Sequence, residues 1–123
     1  MNSLFPEATQ ADIKMTKRLL DKEYKRLRAI IKDYEEKQGN ERQKFAYEEA
    51  LRKKTSIDRA INLIIDNESK EIVKYRYLAG NKNAVTVRHF SEAYRRDERT
   101  IGRRLEDGIE SVANTLLLWG ELK

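Results

Sequence analysis

"EAYRRDERTIGRRLEDG", residues 92–108, sets Arg95, Arg96, Arg99, Arg103 and Arg104 within ten positions. Asp97 is a helix N-cap residue, because its side-chain oxygen suits the free amides of a first helical turn. Behind it Ile101, Leu105, Ile109, Val112, Leu116 and Trp119 recur at steps of four and three, the stripe of an amphipathic helix over about 98–119. Ahead of it Thr86 offers a second cap, for a helix of about 87–95 with Val87, Phe90, Ala93 and Tyr94 facing inward. A short helix, a turn near Arg96 and a helix capped by Asp97 have helix-turn-helix proportions. So short a connection cannot lay the two helices antiparallel and side by side. They must cross, which leaves the second one prominent at the surface.

Placing side chains at about 100° per residue, with the Ile101–Leu105–Ile109 stripe inward, points Arg103 almost directly away and Arg99 close to it. Thr100 flanks them, and Arg104 lies further round toward the core edge. A recognition helix meets base edges in the major groove with its first turns, and arginine's donor fork matches guanine O6 and N7. Arg99, Thr100 and Arg103 are therefore the expected base contacts. Arg88, Arg95, Arg96 and Arg104 are the expected phosphate contacts, which position without reading sequence. Residues 86–104 hold six arginines, one histidine and three acids, whereas residues 105–122 hold four acids and no base. The helix dipole favours the reverse order, so a function for the basic end accounts for the arrangement better than a solvated face does.

Upstream, residues 9–38 read as one long helix. Thr9 and Asp12 form a capping box, and Ile13, Leu20, Tyr24, Leu27, Ile31 and Tyr34 mark a coiled-coil seam. Gly39 and Asn40 end it, since both tolerate a left-handed backbone. Residues 41–66 resume the spacing through Tyr47, Ala50, Lys54, Ile57, Ile61 and Ile64, with Leu51, Ala60 and Ile65 widening the stripe. Lys54 interrupts the seam, though its stem can cover apolar surface. Thr55-Ser56 leaves open whether this stretch is one helix or two. Two long helices about a Gly-Asn turn predict an antiparallel hairpin, and the seams could also serve a homodimer. Ser69 is read as the cap of a short helix over 70–79, stopped by Gly80-Asn81. The expected fold is all-α: a helical hairpin for oligomerisation or partner docking over 1–66, and a helix-turn-helix DNA-binding domain over 67–123.

The chain has 123 residues, 39% apolar and 38% charged, with Pro6 its one proline. High charge with regular apolar spacing describes long exposed helices rather than a disordered chain. The net charge of +5 favours an acidic partner, most simply nucleic acid. With no cysteine, disulfides and zinc–cysteine sites are excluded and a cytoplasmic location fits. No signal peptide is visible at the start, and no apolar run approaches the roughly 20 residues of a membrane span, so no membrane partner is expected. His89 is the single histidine and no phosphate-loop or dinucleotide fingerprint occurs, so neither an enzyme nor a cofactor is expected.

"AINLIIDNESKEIVKYRYLAG", residues 60–80, followed by "TVRHFSEAYRRDERTIGRRLEDGIESVANTL", residues 86–116, resembles the RinA/ArpU family of phage transcriptional regulators. The sharper part is Asp97-Glu98-Arg99-Thr100-Ile101-Gly102-Arg103, where an Arg-Thr-x-x-Arg element opens the recognition helix. The aromatic pair is Tyr75 and Tyr77. The resemblance covers about residues 57–118 and implies a helix-turn-helix like that of sigma factor region four. It further implies an activator of phage late genes that binds double-stranded DNA beside host RNA polymerase, in the bacterial cytoplasm. Gly102, inside the recognition helix, and the length of the hairpin depart from the family pattern. Two other readings stand beside this one: a phage small terminase subunit, and a helical protein–protein adaptor. The apolar end "TLLLWGEL", residues 115–122, is open between internal packing and a dimer contact.

Overall fold

The computed structural model describes residues 7–122; the reading of a signal-free start falls partly outside them. The fold is all-α, with five helices and no strand among the described residues. Helix α1 spans 10–37, α2 Glu41–Asn62, α3 67–78, α4 Asn83–Tyr94 and α5 Glu98–Leu118. No helix among the described residues is long and apolar enough to cross a membrane.

Thr9 and Asp12 form the expected capping box at the start of α1. The helix is continuous but not regular, because a π turn occupies Leu19–Glu23 and its Tyr24 amide donates to the Leu19 carbonyl. Buried Thr16, Leu20 and Tyr24 step by four and four, a spacing that drifts off one face of an α-helix. The wider π turn takes up that drift. Helix α2 is a single helix, with Thr55 and Ser56 inside it. Its start uses a second capping box, Asn40 with Gln43. The left-handed residue between the helices is Gln38, with φ of 52°, and not Gly39 or Asn40 as the sequence implied. Asn40 is committed to extended backbone as a cap, which moves the reversal back to the last residue of the turn before it.

Helices α1 and α2 run antiparallel. The Tyr24 hydroxyl donates to Asp58 Oδ1 at 2.6 Å, the Tyr47 hydroxyl donates to Glu35 at 3.1 Å, and the Tyr34 and Tyr47 rings stack at 4.5 Å. Lys54 lies over the Tyr24 ring and pairs with Asp58 at 2.8 Å. Leu20, Tyr24, Ile31, Ala50, Ile57, Ile61 and Ile64 are buried within the chain, so the seam is consumed here and is not free for a dimer. Ile65 does not widen it: α2 stops at Asn62, the helical period lapses, and Ile65 is exposed.

Helix α3 starts three residues earlier than read. Asp66, not Ser69, is its cap, accepting from the Ser69 amide, while Ser69 is buried within the first turn. It ends in a second π turn, Lys74–Leu78. Arg76 in that turn pairs with Asp21 in the π turn of α1 and donates to Asn83 at the start of α4. Helix α4 likewise begins at Asn83, and Thr86 is inside it, buried, with its hydroxyl donating to the Lys82 carbonyl at 2.9 Å. Ala93, read as inward, is exposed.

Helix α5 closes the fold. Ile101, Leu105, Ile109, Val112, Ala113 and Leu116 are all buried, and the cluster they join includes Ile13, Leu20, Ile61, Ile72, Val73 and Phe90. One core therefore takes side chains from both sides of residue 66, and the boundary drawn there from the sequence does not divide the packing. The apolar end packs inward: Leu122 is buried, Leu117 and Trp119 lie against the core, and Arg59 covers the Trp119 ring. Of its leucines and tryptophan, Leu118 alone is exposed.

The two glycines of α5 differ in their surroundings. A Cβ on Gly108 would stand 2.5 Å from Val73 Cγ2 and 3.2 Å from the Ser69 carbonyl, whereas one on Gly102 would meet nothing within 4 Å. Close approach of α3 and α5 thus needs a hydrogen at position 108. Gly108→Ala should lose about 1–3 kcal/mol by overpacking, less the helix-propensity gain, while Gly102→Ala should gain up to about 1 kcal/mol. Urea denaturation of both variants checks this, and equal effects at the two positions would contradict the packing.

Candidate nucleic-acid interface

The site is built from the turn between α4 and α5. Arg95 ends α4 in the left-handed region, with φ of 55° and ψ of 49°. Ser91 closes the turn: its carbonyl accepts from the Arg96 amide at 3.1 Å and its hydroxyl donates to the Arg96 carbonyl at 2.6 Å. Asp97 then caps α5 as expected, accepting from the Thr100 amide at 2.8 Å. A residue with a Cβ pays about 1–2 kcal/mol to sit in that region, where glycine sits freely. The left-handed residue ends α4 and lets the Arg96 amide reach the Ser91 carbonyl, and the arginine that fills this place is exposed.

The seven arginine and threonine positions read as contacts divide into two groups. Arg99 and Arg103 are exposed and Thr100 half-buried on the first two turns of α5; Arg88 on α4 and Arg95 in the turn are exposed as well. None of these four arginines has a carboxylate within salt-bridge distance among the described residues. Arg96 and Arg104, by contrast, bind carboxylates of the chain: Arg96 pairs with Glu68 and Arg104 with Asp66, each at 3.2 Å. Both acids lie at the start of α3. Of the four arginines read as phosphate contacts, Arg96 and Arg104 thus have acids of the chain as partners, and Arg88 and Arg95 have none among the described residues. Arg96 and Arg104 fasten the start of α5 to α3, and at partial exposure each pair contributes up to about 1 kcal/mol.

Asp66, Glu68 and Ser91 are the members of the site that the sequence did not mark. Asp66 is 38 residues from Arg104 and Glu68 is 28 from Arg96, so only the packing of α3 on α5 could reveal either pairing. Ser91 carries a local signal, a hydroxyl five residues before Arg96. His89 is exposed and stacks on Tyr75, centroids 4.4 Å apart, and Tyr75 and Tyr94 both pack on Phe90. These rings hold α4 against α3. Elsewhere Asp21 binds Arg76, and Arg52 binds Glu121 at 2.8 Å.

Charge on the two caps follows from their hydrogen bonds. Bonding from Thr100, with Arg99 and Arg103 nearby, holds the Asp97 carboxyl below the usual carboxylate range. Bonding from Ser69, with Arg104 nearby, does the same for Asp66. A carboxyl lowered by folding contributes stability at neutral pH, and that contribution is lost as pH falls through the lowered value. Asp66→Asn with Asp97→Asn keeps a capping oxygen at both sites but removes the proton-binding group. Its denaturation midpoint should fall less than the parent's between neutral and acid pH; an identical fall would contradict the assignment of the caps.

Comparison with protein-family models, with curated proteins and with solved structures gave no match.

Proposed function

We propose that the chain is a sequence-specific double-stranded DNA-binding protein, with α4 and α5 as its helix-turn-helix and the first two turns of α5 in the major groove. One observation carries the reading. Within a single ten-residue stretch, two arginines are paired internally, and three, Arg95, Arg99 and Arg103, are exposed with no carboxylate within salt-bridge distance among the described residues. A merely solvated helix gives no reason for that division. In this reading Arg99, Thr100 and Arg103 contact base edges, while Arg88 and Arg95 contact phosphates. Arg96 and Arg104 hold the recognition helix at its angle and reach phosphate only from their paired positions.

In this reading the α1–α2 pair serves as the hairpin, and the resemblance of residues 57–118 to RinA/ArpU regulators favours a role in transcription, as an activator of phage late genes beside host RNA polymerase. With the seams buried, a homodimer would use some other surface. The protein reads as a regulator and not as an enzyme.

Two arginines should fail in different ways. Arg103→Ala should cost about 1–3 kcal/mol on the preferred duplex and much less on random DNA, because a lost bidentate base contact matters only where its base is present. Arg95→Gly should weaken both duplexes alike and reduce the salt slope by about one unit, as one fewer phosphate is neutralised. It should also leave the fold as stable or more stable, by up to about 1 kcal/mol. Fluorescence anisotropy over a salt series, with denaturation of the same samples, measures all three. Parent-like binding by both variants would overturn the proposal.

A further inference from the structure

From the middle of α5 onward, one turn past Arg103, the surface changes character. Ile65 is 97% exposed, Leu63 55% and Leu118 48%. Ile64 turns inward just after the end of α2 and is buried, which sets its neighbours Leu63 and Ile65 outward. With Asp107, Glu110 and Asn114 of α5, Leu63 and Ile65 line a shallow depression of about 430 Å³. Leu118 stands one helical turn beyond Asn114 on the same flank. Scattered exposed leucines need no explanation, but neighbouring ones rimmed by charge mark an interaction surface.

The rim selects the partner. Asp107 and Glu110 are exposed and have no basic residue within salt-bridge distance among the described residues, and residues 105–122 contain no base. Nucleic acid is repelled by such a rim. A second copy offering the same face would set Asp107 and Glu110 against their equivalents, which costs free energy instead of supplying it. Apolar surface edged by unpaired carboxylates fits lysine or arginine flanking an apolar stripe. We propose that this face docks the apolar side of a basic amphipathic helix belonging to a different protein. The inference stands whether or not the arginine end of α5 binds DNA.

The test uses the full chain with methyl-labelled leucine and isoleucine and two synthetic amphipathic helical peptides, one of leucine and lysine, the other of leucine and glutamate. The lysine peptide should shift the methyl signals of Leu63, Ile65 and Leu118, and its affinity should fall with added salt. Leu63→Ser with Ile65→Ser should weaken it by about tenfold or more, since apolar anchors dominate such interfaces. Asp107→Asn with Glu110→Gln should weaken it by several-fold and flatten the salt dependence. All four positions are exposed, so the variants should fold, and their unperturbed core methyl signals would show it. The proposal is overturned if the shifts fall elsewhere, if the glutamate peptide binds as well, or if either double variant binds like the parent. It is also overturned if these methyls are already covered by self-association without peptide, as sedimentation would show.

Discussion

The buried stripe of α5 is the constraint on which the rest of the structure depends. Ile101, Leu105, Ile109, Val112 and Leu116 are almost wholly shielded from water, and they are shielded by the other four helices. Burial of that many branched side chains is the main favourable term in a chain of this size. It also fixes what can face outward. Once the stripe is inward, Arg99 and Arg103 have nowhere to go but solvent, and the exposure of the arginine surface follows from the packing of the leucines and isoleucines behind it.

The polar contacts then set angle and register. Gly108 lets α3 approach α5 closely, and Arg96–Glu68 and Arg104–Asp66 fasten the start of α5 to the start of α3. The rings of Tyr75, His89 and Phe90 seat α4 on α3. Arg76 joins the π turn of α3 to that of α1 and to the start of α4. The long α1–α2 pair is thus not an appendage to the arginine-bearing helices but part of their support. That arrangement suits the placing of a rigid, basic helix on a rigid ligand, because the geometry is set before contact and little ordering is left to be done on binding.

Much of this was legible in the sequence, for local reasons. Thr9 with Asp12, and Asp97 at the start of α5, act within one turn, so their residue types sufficed. The α5 stripe was legible because a buried helical face repeats at a fixed period. Thr86 misled because a buried hydroxyl can bond back to its own helix, as it does to Lys82, without capping anything, and Ser69 misled because Asp66, three residues earlier, takes the cap and leaves Ser69 buried in the first turn. Gly39 misled because the cap at Asn40 moved the left-handed residue to Gln38. The four-and-four spacing at the π turn of α1 did not mark it, since Ile101, Leu105 and Ile109 share that spacing in a regular helix. In the candidate site, the exposure of Arg99 and Arg103 followed from helical angle alone. The pairing of Arg96 and Arg104 did not, since it depends on acids brought in by tertiary packing.

The central claim is that the arginine end of α5 reads a DNA sequence. Sequencing the duplexes that the purified full chain selects from a random pool tests it most directly. The account predicts enrichment of a discrete motif, with the enrichment lost when Arg99 and Arg103 are both replaced by alanine. A selected pool no different from the starting one would contradict it and leave the arginines of residues 95–104 as a solvated face.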